Sequence, residues 1–308
     1  MRRLFKVALE RAAVGTGLAS ILLERTRPSV AILAYHNVLP AGSIPAGDQA
    51  LHIDQDRFSE HLDRLVETHE IVPLSEVLQE PNAGDRPKAV ITFDDAYVGA
   101  LTVGLQEVTV RELPSTVFVA PELLGAEGFW WDVLAPGDGR PLSAAIRRTA
   151  LGTFAGAQER VLEWAASKDL SRTPMSLHAR PADADLLKHA AELPGVTIGS
   201  HTLGHPNLSA LSLPRCREEI SLGHDGVREA LGGRGVLIDW LAYPYGMVSE
   251  AAVTAAGEVM TGATLVAGGL ARRRGRPESH PLRLPRISVP RGLSTEGLSL
   301  RLAGLGNS

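Results

Sequence analysis

The feature that most constrains this chain is its alternation of short, β-branched apolar runs with longer amphipathic stretches. Strands are predicted at residues 30–35, 89–93, 115–120, 196–200, 236–243 and 264–266. Several are unbroken apolar runs, as strands covered on both faces are. Between them, residues 56–68 carry Phe58, Leu62, Leu65 and Val66 on one helical face, and residues 214–231 are also amphipathic. Such alternation builds a parallel sheet clothed by helices, either a barrel or a doubly wound sheet. The polar residues favour the barrel. Asp94-Asp95 follow one strand, His201 a second and Pro244-Tyr245-Gly246 a third, so they gather at strand C-terminal ends, the rim where barrel active sites form.

The 308 residues are compatible with one decorated domain, because α/β barrels reach roughly 200 to 250 residues as a unit. Residues 125–194 interrupt the alternation with Pro136-Gly137-Asp138-Gly139 and then helical-looking sequence, which reads as a helical insertion. Residues 268–280, rich in Gly and Arg, read as an exposed loop. Residues 29–308 therefore form the expected catalytic domain, and residues 1–28 a separate N-terminal segment. That segment has Arg2, Arg3 and Lys6, then an apolar run over residues 12–23, shorter than the about 20 residues a spanning helix needs. Glu24-Arg25-Thr26-Arg27 makes a poor cleavage region. An amphipathic helix packed on the domain, or resting on a membrane surface, is the expectation, with a cytoplasmic or membrane-associated location.

Composition narrows the function. At 44% hydrophobic residues the chain can bury a sizeable core, and a formal charge of -4 gives no basic footprint for nucleic acid. The single cysteine, Cys216, excludes an intrachain disulfide and a multi-cysteine metal site. In Arg215-Cys216-Arg217-Glu218-Glu219 it reads as a surface or half-buried helical position. His52, His61, His69, His178, His189 and His224 have no motif around them and read as structural or surface residues.

The chemistry lies in three segments. In Thr92-Phe93-Asp94-Asp95 two adjacent carboxylates end a strand, where successive side chains diverge, so one can bind a metal while its neighbour faces substrate. Alone, the pair would only begin a turn or cap a helix. Ser200-His201-Thr202-Leu203-Gly204-His205-Pro206 offers two imidazoles four residues apart, a spacing that one turn of backbone can aim at a single point. Two imidazoles and one carboxylate leave a coordination position open for water, as a catalytic metal requires. Such a set suits zinc first and accepts cobalt or nickel. Ala242-Tyr243-Pro244-Tyr245-Gly246 ends a third strand in a sharp turn whose backbone N–H can serve an oxyanion hole.

Together and in this order, these segments resemble the first three motifs of the polysaccharide deacetylase family, the NodB-homology or carbohydrate esterase 4 group, over residues 32–289. Ala34-Tyr35-His36-Asn37-Val38, the Phe58 helix followed by Val72-Pro73-Leu74, and residues 200–209 are similar to its exopolysaccharide-deacetylase branch. The resemblance implies a distorted (β/α)7 barrel acting on an acetylated glycan. It implies that Asp95, His201 and His205 hold a divalent metal, that Asp94 is the general base, and that the Tyr245 backbone N–H, beside Pro244, stabilises the oxyanion.

Two departures from the family pattern matter. Ala242 stands where members often carry the arginine beside the base, and Arg286 in Leu284-Pro285-Arg286-Ile287 is the candidate replacement, with Asp132 of Trp130-Trp131-Asp132 orienting it. No late Leu-x-His follows Pro285, so the acid is assigned to His36, expected on the substrate side opposite Asp94, with His280 the alternative. Trp130 and Trp131 are expected to line the sugar pocket by apolar stacking, with Asp132 and Pro244 also at the substrate. Two rival readings stay open: an O-deacetylase or other amide hydrolase on the same barrel, and a degenerate glycan-binding module that keeps a structural metal.

Overall fold

The computed structural model of the protein describes residues 29–44, 46–79, 86–272 and 280–306. Its core is a ring of seven parallel strands, β1 (Ser29–Tyr35), β2 (Lys88–Phe93), β3 (Ser115–Val119), β4 (Val196–Ser200), β5 (Leu237–Ala242), β6 (Gly262–Gly268) and β7 (Leu284–Ser288). Each pairs with the next in chain order and β7 closes on β1, giving a (β/α)7 barrel. The N-terminal segment read from sequence as amphipathic lies outside the described residues, as does most of the Gly/Arg-rich loop. No helix among the described residues is long and apolar enough to cross a membrane.

Helices cover the outside of the ring. Helix α1 (Gln55–Thr68) leads from β1 toward β2, with Phe58, His61, Leu62 and Leu65 buried on one face at the 3.6-residue period. Helix α2 (Leu105–Thr109) follows β2. Between β3 and β4, where an insertion is expected, come α3 (Trp130–Val133), α4 (Ala144–Thr153), α5 (Gln158–Ser167) and α6 (Ala184–Ala191). Helix α7 (Leu213–Leu231) starts with Pro214 in its first turn and stops at Gly232, whose left-handed φ of 58° lets its N–H return to the Arg228 and Glu229 carbonyls. Helix α8 (Glu250–Ala256) is capped by Ser249, and α9 (Thr295–Leu302) follows β7. Cys216 is fully buried in α7, deeper than its charged neighbours imply, because it lies on the face turned to Leu208 and Tyr243.

Strand periodicity sets the interior. Ile32, Val90, Phe118, Trp240 and Leu284 form an apolar plug in the barrel's lower half, while the alternate residues Leu33, Ile91, Val117, Ile198 and Ile287 face the helices. Stepping two residues at a time up the inward phase runs from Ile32 to His36, from Val90 through Thr92 to Asp94, and from Thr197 through Gly199 to His201. A polar upper rim therefore stands on a rigid apolar floor. The seventh strand, absent from the sequence-predicted set, contains Pro285. Proline cannot donate to a ladder, and it sits where the β6–β7 register shifts between Leu284 and Arg286.

Candidate metal centre and its rim

The centre is assembled from three loops that each hold non-glycine residues in the left-handed region of backbone space. Five of the eight non-glycine residues with positive φ among the described residues are Asp95 (69°), Ala96 (51°), Thr202 (68°), His205 (60°) and Tyr245 (58°). Each costs on the order of 1–3 kcal/mol, which must be recovered from surrounding contacts. For Asp95 the strain has a visible purpose: strand phase would send it away from its neighbour, and the left-handed turn brings its carboxylate to the same rim as Asp94.

Helix α7 fixes the histidine loop. The Glu219 carbonyl accepts the Leu203 N–H at 2.9 Å and its carboxylate accepts the Gly204 N–H at 3.2 Å. Gly223 lets the helix lie directly on the loop, since a Cβ there would fall 2.4 Å from the Thr202 carbonyl carbon. Sequence reasoning missed Glu219, which carries no motif signal.

Asp95, His201 and His205 converge. Asp95 Oδ1 is 3.4 Å from His201 Nε2 and 3.2 Å from His205 Nε2, and the two Nε2 atoms are 3.1 Å apart. Metal bonds of about 2.1 Å place donor atoms roughly 3.0 Å apart at right angles and 3.4 Å apart at tetrahedral angles. All three residues are buried, and Asp95 Oδ1 has no properly aligned hydrogen-bond donor. His201 Nδ1 lies 2.7 Å from the Ala242 carbonyl, so it carries the proton and leaves Nε2 free to ligate. The donor set thus fits a divalent cation. Burial would raise the Asp95 pKa, but the two imidazoles hold it well below the carboxylate range. Burial and the charge of His201 depress His205, whereas the two aspartates outweigh burial at His201 and raise it.

Asp94 sits in the opposite kind of environment. Burial alone would raise its pKa, yet Arg286 holds it below the ordinary value. The guanidinium donates to Asp94 Oδ1 at 2.8 Å and Oδ2 at 2.6 Å, to Thr92 Oγ1 at 2.9 Å and to the Leu265 carbonyl at 2.5 Å, with the Phe118 ring 5.7 Å beneath. Thr92 was not anticipated, although its inward phase two residues before Asp94 could have revealed it. His36 Nε2 stands 4.0 Å from Asp94 Oδ2 with 13% of its side chain exposed. It is therefore beside Asp94, where it was expected on the opposite side, because His36 and Asp94 end adjacent strands at the same level. His280 is exposed, and its Nδ1 accepts the Leu282 N–H in a local turn.

Two other expectations need correction. Asp132 does not orient Arg286 and has no surface for substrate; it is fully buried and accepts from the Asp48 N–H (2.8 Å), Tyr97 Oη (2.7 Å) and His52 Nε2 (3.3 Å). His52 is thus a partner of Asp132 that no motif announced. Trp130 and Trp131 present no stacking face, being 0% and 3% exposed. As the inner side of the single turn α3, they pack on the centre, and each gives its indole N–H to a tyrosine hydroxyl. Pro244 is buried at the start of the turn that carries Tyr245.

Comparison with known proteins accords with this geometry. Residues 82–261 match the family model described as polysaccharide deacetylase. No curated protein matches the chain in sequence. Among solved structures, the chain is similar to the deacetylase PplD of Streptococcus pyogenes, with 17% identity and a TM-score of 0.59 over 89% of this chain and 98% of that one. It is similar to BC0361, a polysaccharide deacetylase from Bacillus cereus, with 13% identity and a TM-score of 0.62 over 89% and 69% of the two chains. IcaB from Ammonifex degensii shares 16% identity and a TM-score of 0.59 over 90% and 97%. With the family match spanning more than half of its length and the barrel shared with these structures, the chain belongs to the polysaccharide deacetylase family.

Proposed function

We propose that this protein is a metal-dependent carbohydrate N-deacetylase, in which Asp95, His201 and His205 hold a divalent cation, zinc before cobalt or nickel, and water hydrolyses the acetamide of an acetylated glycan. One observation carries the reading: three buried donors spaced 3.1–3.4 Å apart stand beside a carboxylate whose two oxygens are gripped by Arg286. Asp94, Asp95 and Arg286 together carry one negative charge, which favours a cation at the point the donors face.

A divalent cation bound there would supply Lewis acidity to the acetamide carbonyl and a water of lowered pKa. Asp94 takes the proton of the attacking water, and Arg286 keeps its carboxylate ionised and aimed. The backbone N–H of Tyr245 donates to the oxyanion as the carbonyl carbon becomes tetrahedral. His36, more open than the buried Asp94, Asp95, His201, His205 and Arg286, hands a proton to the nitrogen as the C–N bond breaks. Acetate and a free amine leave. The buried indoles weigh against a glycan-binding module, which would need aromatic faces open to sugar.

We propose further that residues 29–308 are the catalytic domain, with residues 125–194 inserted in it. The amphipathic reading of residues 1–28 would allow peripheral membrane contact. The test of function is acetate release from a panel of N- and O-acetylated glycans before and after chelation, with zinc, cobalt or nickel restored. Loss on chelation with recovery on metal supports the reading, and acetate release indifferent to chelation overturns it.

A further inference from the structure

The two histidines of the centre are held in different ways. His201 is fixed by the hydrogen bond from Nδ1 to the Ala242 carbonyl, whereas His205 Nδ1 is buried without a hydrogen-bond partner. A ligating imidazole ordinarily uses its second nitrogen to set its orientation. His205 is instead enclosed by rings: Trp131 at 4.9 Å, Tyr245 at 4.6 Å and His201 at 4.5 Å between centroids. We infer that an aromatic clamp positions His205, and that buried Asp132 anchors the clamp through Tyr97 and Trp131.

The hydrogen bonds run in one determined direction. Tyr97 has a single hydroxyl proton and gives it to Asp132 Oδ2 at 2.7 Å, so its oxygen accepts the Trp131 indole N–H at 2.9 Å. Asn37 Nδ2 donates to His52 Nδ1 at 2.9 Å and to the His178 carbonyl at 2.9 Å. His52 therefore carries its proton on Nε2 and faces Asp132 Oδ1 at 3.3 Å as a neutral donor. The Asp48 N–H completes the set at 2.8 Å. Trp131 is further pinned by parallel stacking on Phe129, with centroids 4.7 Å apart. The second wall, Tyr245, accepts the Trp130 indole N–H at 3.0 Å. One turn of helix thus supplies one wall, Trp131, together with the Trp130 indole that holds the other wall and the carboxylate that anchors the first. Asp132, Tyr97 and Trp131 are positioning residues, since none lies among the donor atoms.

This inference rests on the metal reading of the centre, and its test separates the two. Cobalt binding to the full chain is measured by titration and by the visible spectrum of the bound ion, alongside thermal unfolding without metal. Tyr97→Phe and Asp132→Asn should weaken cobalt affinity roughly 10- to 100-fold and shift the visible bands. Tyr35→Phe, which deletes an equally buried hydroxyl that faces His61, should lower the unfolding temperature alone. If Tyr97→Phe does not fold, Trp131→Phe removes the same link while keeping a ring in the clamp. Wild-type affinity and spectrum in the clamp variants, or equal weakening in the Tyr35 control, would overturn the inference. A wild-type chain that takes up no cobalt would overturn the metal reading itself.

Discussion

Asp94 and Asp95 are neighbours in sequence and share one rim, yet their surroundings differ in kind. Every oxygen of Asp94 is occupied by Arg286, itself braced by Thr92 and the Leu265 carbonyl. Asp95 faces two imidazoles that present more nitrogens than protons can serve, and its Oδ1 lacks an aligned donor. A saturated carboxylate keeps its geometry without any external partner. An unsaturated cluster of two nitrogens and an oxygen is what the proposed cation would complete. The comparison separates the proposed base from the proposed ligand site, and it can be broken experimentally.

The largest effect is expected at the saturated half. Asp94→Asn should lower turnover by roughly 10² to 10⁴-fold while metal affinity stays near that of the parent, as metal titration and acetate release on one preparation would read. Equal loss of metal and turnover would mean that the two aspartates exchange roles. His36→Ala should cost about 10²-fold on a glycan amide and little on an activated acetate ester, whose leaving group needs no proton. Equal loss on both substrates would indicate damage to the rim, and unchanged amide turnover would exclude His36 as the acid.

Arg286→Met sharpens the comparison from the side of stability. It leaves Asp94 buried and without its guanidinium, so it should destabilise the fold by about 3–5 kcal/mol, whereas His205→Ala should cost less because His201 still faces the Asp95 carboxylate. Chemical denaturation of both variants without metal compares them, and the reverse order would contradict the assignment of saturation to Asp94.

A smaller effect sets the rim apart from the histidines on α1 and at its C-terminal end. Burial first, then the charge of Arg57, lowers His61 from 6.5 to about 4, against the Leu293 carbonyl; burial with Arg86 and Arg64 lowers His69 to about 4. The folded state therefore binds fewer protons than the unfolded chain between these values. Stability from both is fully present above the unfolded pKa and is lost as pH falls toward 4, by up to about 3 kcal/mol for each. Thermal unfolding across that window should show the loss, and His61→Gln should flatten it. An unchanged slope would place the acid sensitivity elsewhere.

The legible part of this molecule was what periodicity and strand ends encode. Six strands announced themselves by apolar runs, and Asp94, Asp95, His201 and His205 stood just beyond them in the sequence. The seventh strand was hidden by Pro285, whose ring reads as a break although a register shift absorbs it. The surroundings of Asp132 could not be read, because Tyr97 and His52 reach it from 35 and 80 residues away and neither lies in a motif. Trp130 and Trp131 illustrate a different limit: a tryptophan in a glycan enzyme invites a stacking role, but exposure is decided by the packing of α3. Nor does local sequence disclose that Asp95 turns left-handed, which is what unites the two carboxylates.

The most direct test of the account is metal content, measured by elemental analysis on the parent, Asp94→Asn and Asp95→Asn chains purified side by side in zinc-supplemented medium. The account predicts about one divalent ion per chain in the parent and in Asp94→Asn, and a marked loss in Asp95→Asn. Equal metal in all three, or none in the parent, would contradict it.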